Sequence, residues 1–244
     1  MSETLHSSIV VMDVENSSAL GNHEKPIVRS DLRRLTEDAL DRAGITPDAR
    51  TIEDRGDGIY LLISAGVPKR RLFATFLPAV DESLAARRVA DLPLRLRVAV
   101  AAGEVTPDEQ GSSGIDVDRA FGMADHQTAR DALAADRRAR MVVVVSESLY
   151  ESVITAQSAL DPTRFRHYRL PLKQAEVGVW IHLSGVAQQP RMPKRESTPV
   201  PAAAQQSPLG ISQSVAGRDH IGRDSIAPGR DYVRGGRVHN GGSA

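Results

Sequence analysis

Short apolar runs rich in Val and Ile alternate with segments of helical periodicity over the first 183 residues of this 244-residue chain. Such runs are typical of buried strands, and amphipathic helices between them need a sheet face to cover. Strands are predicted at 7–14, on both sides of the turn 55–58, at 92–105, at 141–146 and in a hairpin ending at 183. Helices are predicted at 26–44, 69–87 and 117–135, and after Ser146. The order favours an α+β domain with a mixed or antiparallel, ferredoxin-like sheet and helices mainly on one face.

Composition excludes several classes of function. The chain has no cysteine, which excludes disulfides, thiolate chemistry and cysteine-based metal sites. Its formal net charge of zero gives no bias toward nucleic acid or an anionic membrane. No apolar run reaches the roughly 20 residues that a transmembrane helix needs, and the start, MSETLHSS, lacks the features of a signal peptide. We therefore expect a cytoplasmic protein without a membrane or nucleic-acid partner.

The pattern changes after Leu183. Residues 188–214 are rich in Pro, Gln, Ser and Ala and nearly free of large apolar side chains, so they are predicted to be a disordered linker. The predicted organisation is therefore a domain at 1–187, this linker, and a tail at 215–244.

The tail carries the internal repeat of this chain. The unit Gly-Arg-Asp-x-Ile/Val occurs three times, beginning at Gly217, Gly222 and Gly229. Because a β-branched residue recurs in register, tails of several chains are predicted to stack as β-structure and to recruit a protein partner with a similar repeat. The alternative is a flexible tail with no specific contact.

Acidic residues crowd the predicted hairpin, where Glu53, Asp54 and Asp57 surround a glycine pair. Asp13 ends the first predicted strand, and in a ferredoxin-like sheet Asp13 and Asp57 can be neighbours. Two converging carboxylates form a hard-oxygen site suited to Mg²⁺ or Mn²⁺, which bridge phosphate oxygens. The residues alone favour the simpler alternative, in which Asp57 serves the turn and Asp13 only ends a strand.

Four blocks of the sequence resemble the class III nucleotidyl cyclase homology domain, particularly its actinobacterial versions. They are VVMDVENSSAL, EDRGDGIYLLI, LRVAVAAGEVTPDEQGSSGIDVDRAFGMAD and ARMVVVVSESLYESVI, and together they span about residues 7–183. The resemblance implies a head-to-tail dimer with shared active sites, in which Asp13 and Asp57 of one protomer hold two metal ions. The other protomer then supplies the base-selecting position, occupied here by Glu53, and the residues that act on the ribose and the transition state.

Glu53 suggests a base preference within this resemblance. A carboxylate accepts hydrogen bonds from N1–H and N2–H₂ of guanine, donors that adenine lacks. The alternative is that Glu53 is an exposed strand residue with no role in binding.

The chain departs from the family in its helix signature. The family pattern is DVNxAxRL, whereas this chain has DVDRAFGM, with Asp118 at the Asn position and Gly122 at the Arg position. An arginine in this role contributes about 10³–10⁵ in rate, and glycine supplies neither charge nor hydrogen bonds. Arg119 lies roughly 100° around the helix from Asp118, so it is a poor substitute.

We therefore expect a catalytically impaired signalling protein that binds a nucleoside triphosphate with Mg²⁺ or Mn²⁺. It is expected to act as a homodimer, or as a heterodimer with another cyclase-like chain. An active cyclase that prefers GTP, a phosphorus-oxygen lyase, is one alternative, and a pure interaction scaffold is another. Metal-dependent binding of a nucleotide would exclude the pure scaffold. Formation of a cyclic nucleotide would separate the active cyclase from the impaired protein.

Overall fold

The computed structural model describes residues 3–88, 91–92, 94–108, 111–156, 160–173 and 175–186. The strands are β1 Leu5–Val14, β2 Arg50–Asp54, β3 Gly58–Ser64, β4 Leu96–Asp108, β5 Gly111–Ser113, β6 Met141–Ser146, β7 Arg166–Pro171 and β8 Glu176–Ser184. The helices are α1 Glu24–Arg42, α2 Leu77–Ala85, α3 Ile115–Asp125, α4 Gln127–Ala135 and α5 Glu147–Leu149. The predicted linker 188–214 and the repeat tail 215–244 lie outside the described residues.

The strands form one mixed sheet in the order β2-β3-β1-β4-β6-β8-β7, and β5 pairs with the end of β4. Within this order β4 and β6 are parallel, and the other pairs are antiparallel. The predicted α+β class with a mixed sheet is therefore confirmed. The β1–β3 register pairs Asp13 with Gly58, so the tip of the β2–β3 hairpin lies beside the end of β1.

Helices cover both faces of this sheet. Alternate residues of β1 belong to two separate cores, with Val10 and Met12 in one and Ile9 and Val11 in the other. Helices α1, α2 and α5 contribute to the first core, so most of the helices lie on that face, as expected. Helices α3 and α4 form a second layer on the opposite face. The central strands are apolar on both sides because both sides are covered.

The prediction of one helix over 117–135 is wrong. The chain breaks at His126, whose backbone is extended (φ −65°, ψ 143°), and α4 starts at the next residue. The His126 ring accepts a hydrogen bond from the Thr128 amide at 3.1 Å, which caps the new helix. Periodicity does not reveal the break because α3 and α4 pack their apolar faces against the same core.

The sequence predicts a kink or a break at Pro78, and the helix is irregular there but does not end. Residues Leu72–Phe76 form a π-helical turn, and Pro78 lies in the first turn of α2. The helical backbone continues from this turn into α2, and the Leu77 amide donates to the Leu72 carbonyl oxygen. Proline has no backbone N–H and so interrupts the regular α-helical hydrogen bonds, and the π-helical turn lies where that interruption occurs. A second π-helical turn, Tyr150–Ile154, follows α5.

His182 is a half-buried titratable residue of β8. Its Nδ1 lies 3.2 Å from the Arg164 carbonyl oxygen, and its ring centroid lies 5.2 Å from that of Phe165. Burial, followed by the charge of Arg164, lowers the pKa of His182 to about 4. An unfolded histidine titrates near 6.5. Between these values the unfolded chain binds a proton that the folded chain does not, so the free energy of unfolding should fall as pH is lowered through this window.

The free energy of unfolding falls as the pH is lowered from 6.5 to 4.5. In the His182→Gln variant this fall should be smaller by about 2 kcal/mol. Urea unfolding of both proteins at the two pH values measures this difference. His23→Gln is the matched control, because His23 is exposed before α1, and it should keep the pH dependence of the natural chain. The prediction would be contradicted if the free energy of unfolding changed equally between the two pH values in the natural chain and in His182→Gln.

Candidate functional site

Asp13 and Asp57 line one cleft of about 450 Å³ at the end of β1. Gly58 permits the close approach of the hairpin, since a Cβ at this position would lie 2.5 Å from the Met12 carbonyl oxygen. The Val14 amide donates to the Asp57 carbonyl oxygen at 3.2 Å and closes the corner. The pairing of β1 with β3 therefore brings together the two carboxylates that the sequence singles out.

Asp13 forms an ion pair with Arg97, the residue opposite it on β4. The side chains are 22 % and 9 % exposed, respectively. The pKa of the Asp13 carboxyl is raised, first by burial and further by the charge of Asp57, against the opposing effect of Arg97. Arg97 therefore balances charge at the bottom of the cleft. Sequence reasoning missed Arg97, although a charged residue inside the apolar run 94–101 was a usable signal.

Asp57 is held by a residue that follows β1 in the chain. The Ser17 hydroxyl donates to Asp57 Oδ2 at 2.5 Å. Ser17 begins a single 3-10 turn after β1, and the chain enters this turn through Asn16, whose φ is +56°. Asparagine tolerates this left-handed conformation better than most residues. The turn after β1 thereby orients the second carboxylate of the cleft.

The donor set fits a metal ion that arrives with a phosphate ligand. Over the described part of the chain, no group of three or more His, Cys, Asp or Glu side chains is placed to hold a metal ion. Two carboxylates are nevertheless sufficient for Mg²⁺, which commonly takes its other ligands from water and substrate phosphates. The contacts with Arg97 and Ser17 both use Oδ2 of their carboxylate, so Oδ1 of Asp13 and of Asp57 is available within the described residues.

Arg55 forms another wall of the cleft and contacts Glu53. Its Nη2 donates to Glu53 Oε2 at 2.6 Å, and its guanidinium carbon lies 5.4 Å from the ring centroid of Tyr60. The same guanidinium lies 5.8 Å from the ring centroid of Phe121 on α3. Glu53 itself is not among the described residues that line the cleft.

Two further charged residues of the helical layer reach the cleft. Asp125 ends α3, and Arg130 of α4 pairs with its carboxylate. Their pairing spans only five residues, but the sequence does not show that the pair lies at the cleft. Among the described lining residues, arginines and aspartates are equal in number, which leaves the cleft without a net charge.

The positions that depart from the family signature lie elsewhere on α3. Asp118 is exposed, and neither Asp118 nor Gly122 is among the described lining residues. A Cβ at Gly122 would lie 3.3 Å from the methyl carbons of Leu172. Arg119 lines a different cavity of about 160 Å³. A single chain therefore brings Asp13 and Asp57 together, whereas Glu53, Asp118 and Gly122 are not among the described residues that line their cleft.

No protein-family model matches this sequence, and no curated protein matches it. Solved structures do match. The crystal structure of the guanylyl cyclase Cya2 is 19 % identical, with a TM-score of 0.54 over 77 % of this chain and 95 % of that chain. The catalytic core of a rhodopsin-guanylyl cyclase with converted specificity, in complex with ATPαS, is 15 % identical, with a TM-score of 0.53 over 76 % of this chain and 99 % of that chain.

A third match is the guanylate cyclase domain of RhGC from Catenaria anguillulae in complex with GTP. It is 14 % identical, with a TM-score of 0.51 over 75 % of this chain and 98 % of that chain. The chain has the nucleotidyl cyclase fold. At these low identities the likeness shows the cyclase fold alone, so the resemblance predicted from the four sequence blocks is confirmed at that level. Among the described residues, no helix is long and apolar enough to span a membrane.

Proposed function

We propose that this chain is a nucleotide-binding signalling module that is impaired in nucleotide cyclisation. It binds a nucleoside triphosphate together with Mg²⁺ or Mn²⁺ at the cleft of Asp13 and Asp57. The observation that carries the proposal is the convergence of these two carboxylates beside the buried cation Arg97. Two matched structures with this fold hold ATPαS or GTP, which supports a nucleotide as the ligand.

The ion pair at the bottom of the cleft suits exchange with a metal–triphosphate complex. Asp13 would take the metal ion as its cationic partner, and Arg97 would take a phosphate oxygen as its anionic partner. Both buried charges therefore stay compensated when their mutual contact opens, which avoids the cost of an unpaired buried charge. When bound, the metal ion polarises phosphoryl oxygens and neutralises their charge.

Cyclisation is impaired in the proposal because the family's transition-state residues are replaced. Gly122 has no side chain with which to stabilise developing phosphoryl charge, and Asp118 adds a negative charge where a triphosphate would need a neutral amide. A specific observation favours the competing function of an active cyclase, since Arg55 and Arg130 line the same cleft. Assays of cyclic product from GTP, ATP, CTP and UTP distinguish the two, with Asp57→Asn as the inactive control.

Guanine is the preferred base in this proposal, through Glu53. The carboxylate of Glu53 accepts a hydrogen bond from Arg55 at 2.6 Å, and its oxygens can accept from guanine donors once that contact loosens. Its side chain remains 24 % exposed. Binding of GTP should therefore exceed binding of ATP, and Glu53→Lys should reduce the preference for GTP.

Replacing Asp57 by Asn should weaken binding of a fluorescent GTP analogue in Mn²⁺ by at least about tenfold, because one metal-binding charge is lost. Fluorescence anisotropy titration measures the change in Kd. Asp54→Asn is the matched control, because Asp54 lies on the same hairpin and is not among the described lining residues. Binding that is unaffected by Asp57→Asn, or that persists in excess EDTA, would contradict the proposed metal–nucleotide site.

Dimerisation and the repeat tail complete the proposal. The site needs positions from a second protomer, so the domain acts as a homodimer or as a heterodimer with another cyclase-like chain. One matched structure is described as a non-canonical dimeric guanylyl cyclase domain, and another as a monomeric one. The tail at 215–244, which lies outside the described residues, is proposed to recruit a partner through stacked β-structure.

Sedimentation of the full chain at tens of micromolar should show a dimer and, as concentration rises, larger assemblies that bind thioflavin. Ile221→Asp with Ile226→Asp should abolish the larger assemblies and leave the dimer, because charges break the apolar ladder of the repeat. A monomer at every concentration, with or without nucleotide and Mn²⁺, would argue against the dimer. Assemblies that survive the double change would argue against the role of the tail.

A further inference from the structure

A second cavity of about 430 Å³ lies on the face of the sheet that α2 covers. It shares no described lining residue with the cleft of Asp13 and Asp57. Strands β6 and β8 form its floor, with α2 and the preceding π-helical turn on one side and residues 154 and 160–165 on the other. Its walls are mostly apolar, through Phe73, Leu77, Met141, Ile154, Leu160 and Phe165. Cavities of this size and character are typical of small-molecule sites.

A buried hydroxyl without a partner lies at the polar end of this cavity. Ser184 is 5 % exposed, and its Oγ has no hydrogen-bond partner among the described residues. The hydroxyl lies close to Asp81. Burial raises the pKa of the Asp81 carboxyl, but hydrogen bonds from Arg140 at 2.9 and 2.8 Å, and after them the Ser184 hydroxyl, lower it overall. Native proteins normally satisfy a buried hydroxyl, and the partners within reach of this one are the Asp81 carboxylate and a group bound in the cavity.

A further polar group of the cavity is the His182 ring. Asp161 and Arg164, which carry opposite charges, also line the cavity. The Nδ1 of His182 lies 3.2 Å from the Arg164 carbonyl oxygen, which can only accept, so Nδ1 carries the proton. The neutral ring then presents Nε2 as an acceptor. Since Asp81 is already neutralised by Arg140, the polar end offers acceptors without needing a charged ligand.

Aromatic side chains surround the remaining space. The rings of Phe73 and Phe165 line the cavity, and the latter lies 5.2 Å from the His182 ring. Flat aromatic groups pack well against such rings in offset or edge arrangements. The two π-helical turns also reach the cavity, through Phe73 and Ile154, and such turns occur frequently at functional sites.

We propose that this cavity binds a neutral, flat aromatic molecule that carries an N–H or O–H donor at one edge, in the class of indoles and phenols. The donor of the ligand forms a hydrogen bond to His182 Nε2. The Ser184 hydroxyl accepts or donates a hydrogen bond at the same edge, and the ring system fills the space between α2 and Phe165. The site is independent of the nucleotide cleft, so its test does not depend on cyclase chemistry.

Ligand-observed NMR with the full chain tests the proposal with shape-matched probes. Indole and p-cresol carry the donor, whereas benzofuran and 4-fluorotoluene replace it with a group that cannot donate. The donor-bearing member of each pair should bind about tenfold more tightly, which is the effect of one hydrogen bond to a buried acceptor. Ala74→Trp, in the cavity wall, should abolish binding, and Ala85→Trp, also exposed and outside the described lining, should leave it unchanged.

Three results would overturn the proposal. They are no binding of indole or p-cresol at millimolar concentration, equal affinity within both probe pairs, and equal loss of binding in both tryptophan variants. His182→Phe keeps an aromatic ring but removes the acceptor, so it should abolish the difference within each pair. Far-UV circular dichroism and thermal unfolding of each variant establish that it is folded, so a loss of binding is assigned to the cavity.

Discussion

The double substitution Asp118→Asn with Gly122→Arg should produce cyclic nucleotide from GTP and Mn²⁺ about 10³-fold faster than the natural chain. The amide restores a neutral hydrogen-bonding group, and the guanidinium restores positive charge for the phosphoryl transition state. Leu172 is the obstacle, because a Cβ at Gly122 would lie 3.3 Å from its methyl carbons. These carbons are the end of a flexible side chain, so the triple variant with Leu172→Ala should be at least as active.

Two controls decide whether the gain comes from the restored charge. Asp118→Asn with Gly122→Gln has a long polar side chain but no charge, and it should stay close to the rate of the natural chain. Adding Asp57→Asn to the active variant should remove the activity, since it removes a carboxylate of the cleft. Robust cyclisation by the natural chain itself would contradict the proposed impairment. So would a gain of equal size with glutamine at 122.

Arg97→Met should lower the free energy of unfolding by about 2–3 kcal/mol, because it leaves Asp13 as a half-buried carboxylate without its cation. Removal of one partner from a fully buried ion pair usually costs more than this. We expect the smaller loss because the Asp13 side chain is 22 % exposed. Asp13→Asn with Arg97→Met should recover at least half of the loss, because the unpaired charge is gone. Urea unfolding at pH 7 measures both changes.

A double-mutant cycle makes this prediction specific to the pair. Asp13→Asn alone leaves Arg97 as the uncompensated charge, so its cost and that of Arg97→Met should not add. Arg50→Met is a matched control for loss of a buried arginine, since Arg50 is 9 % exposed but pairs with the exposed Asp41. Strict additivity of the Asp13 and Arg97 effects would show that the contact does not couple them.

Much of the local structure follows directly from sequence patterns. The β-branched runs of β1 and β6 predict strands within a few residues of their observed bounds. The turn around Gly56, whose φ is +85°, is predicted from a conformation that glycine tolerates. The residue types at Asp118 and Gly122 are visible in the sequence, and no structure is needed to show that the latter cannot supply a charge.

Contacts between distant parts of the chain needed the tertiary structure. Asp13 and Arg97 are 84 residues apart, and they meet only because β4 pairs with β1 in one particular register. The break at His126 is equally hidden, since α3 and α4 bury their apolar faces in a common core. Apolar periodicity and turn residues indicate only the local conformation of the chain. Strand order and helix layering depend on how all the apolar faces are covered at once, so tertiary packing decided which charges share the cleft.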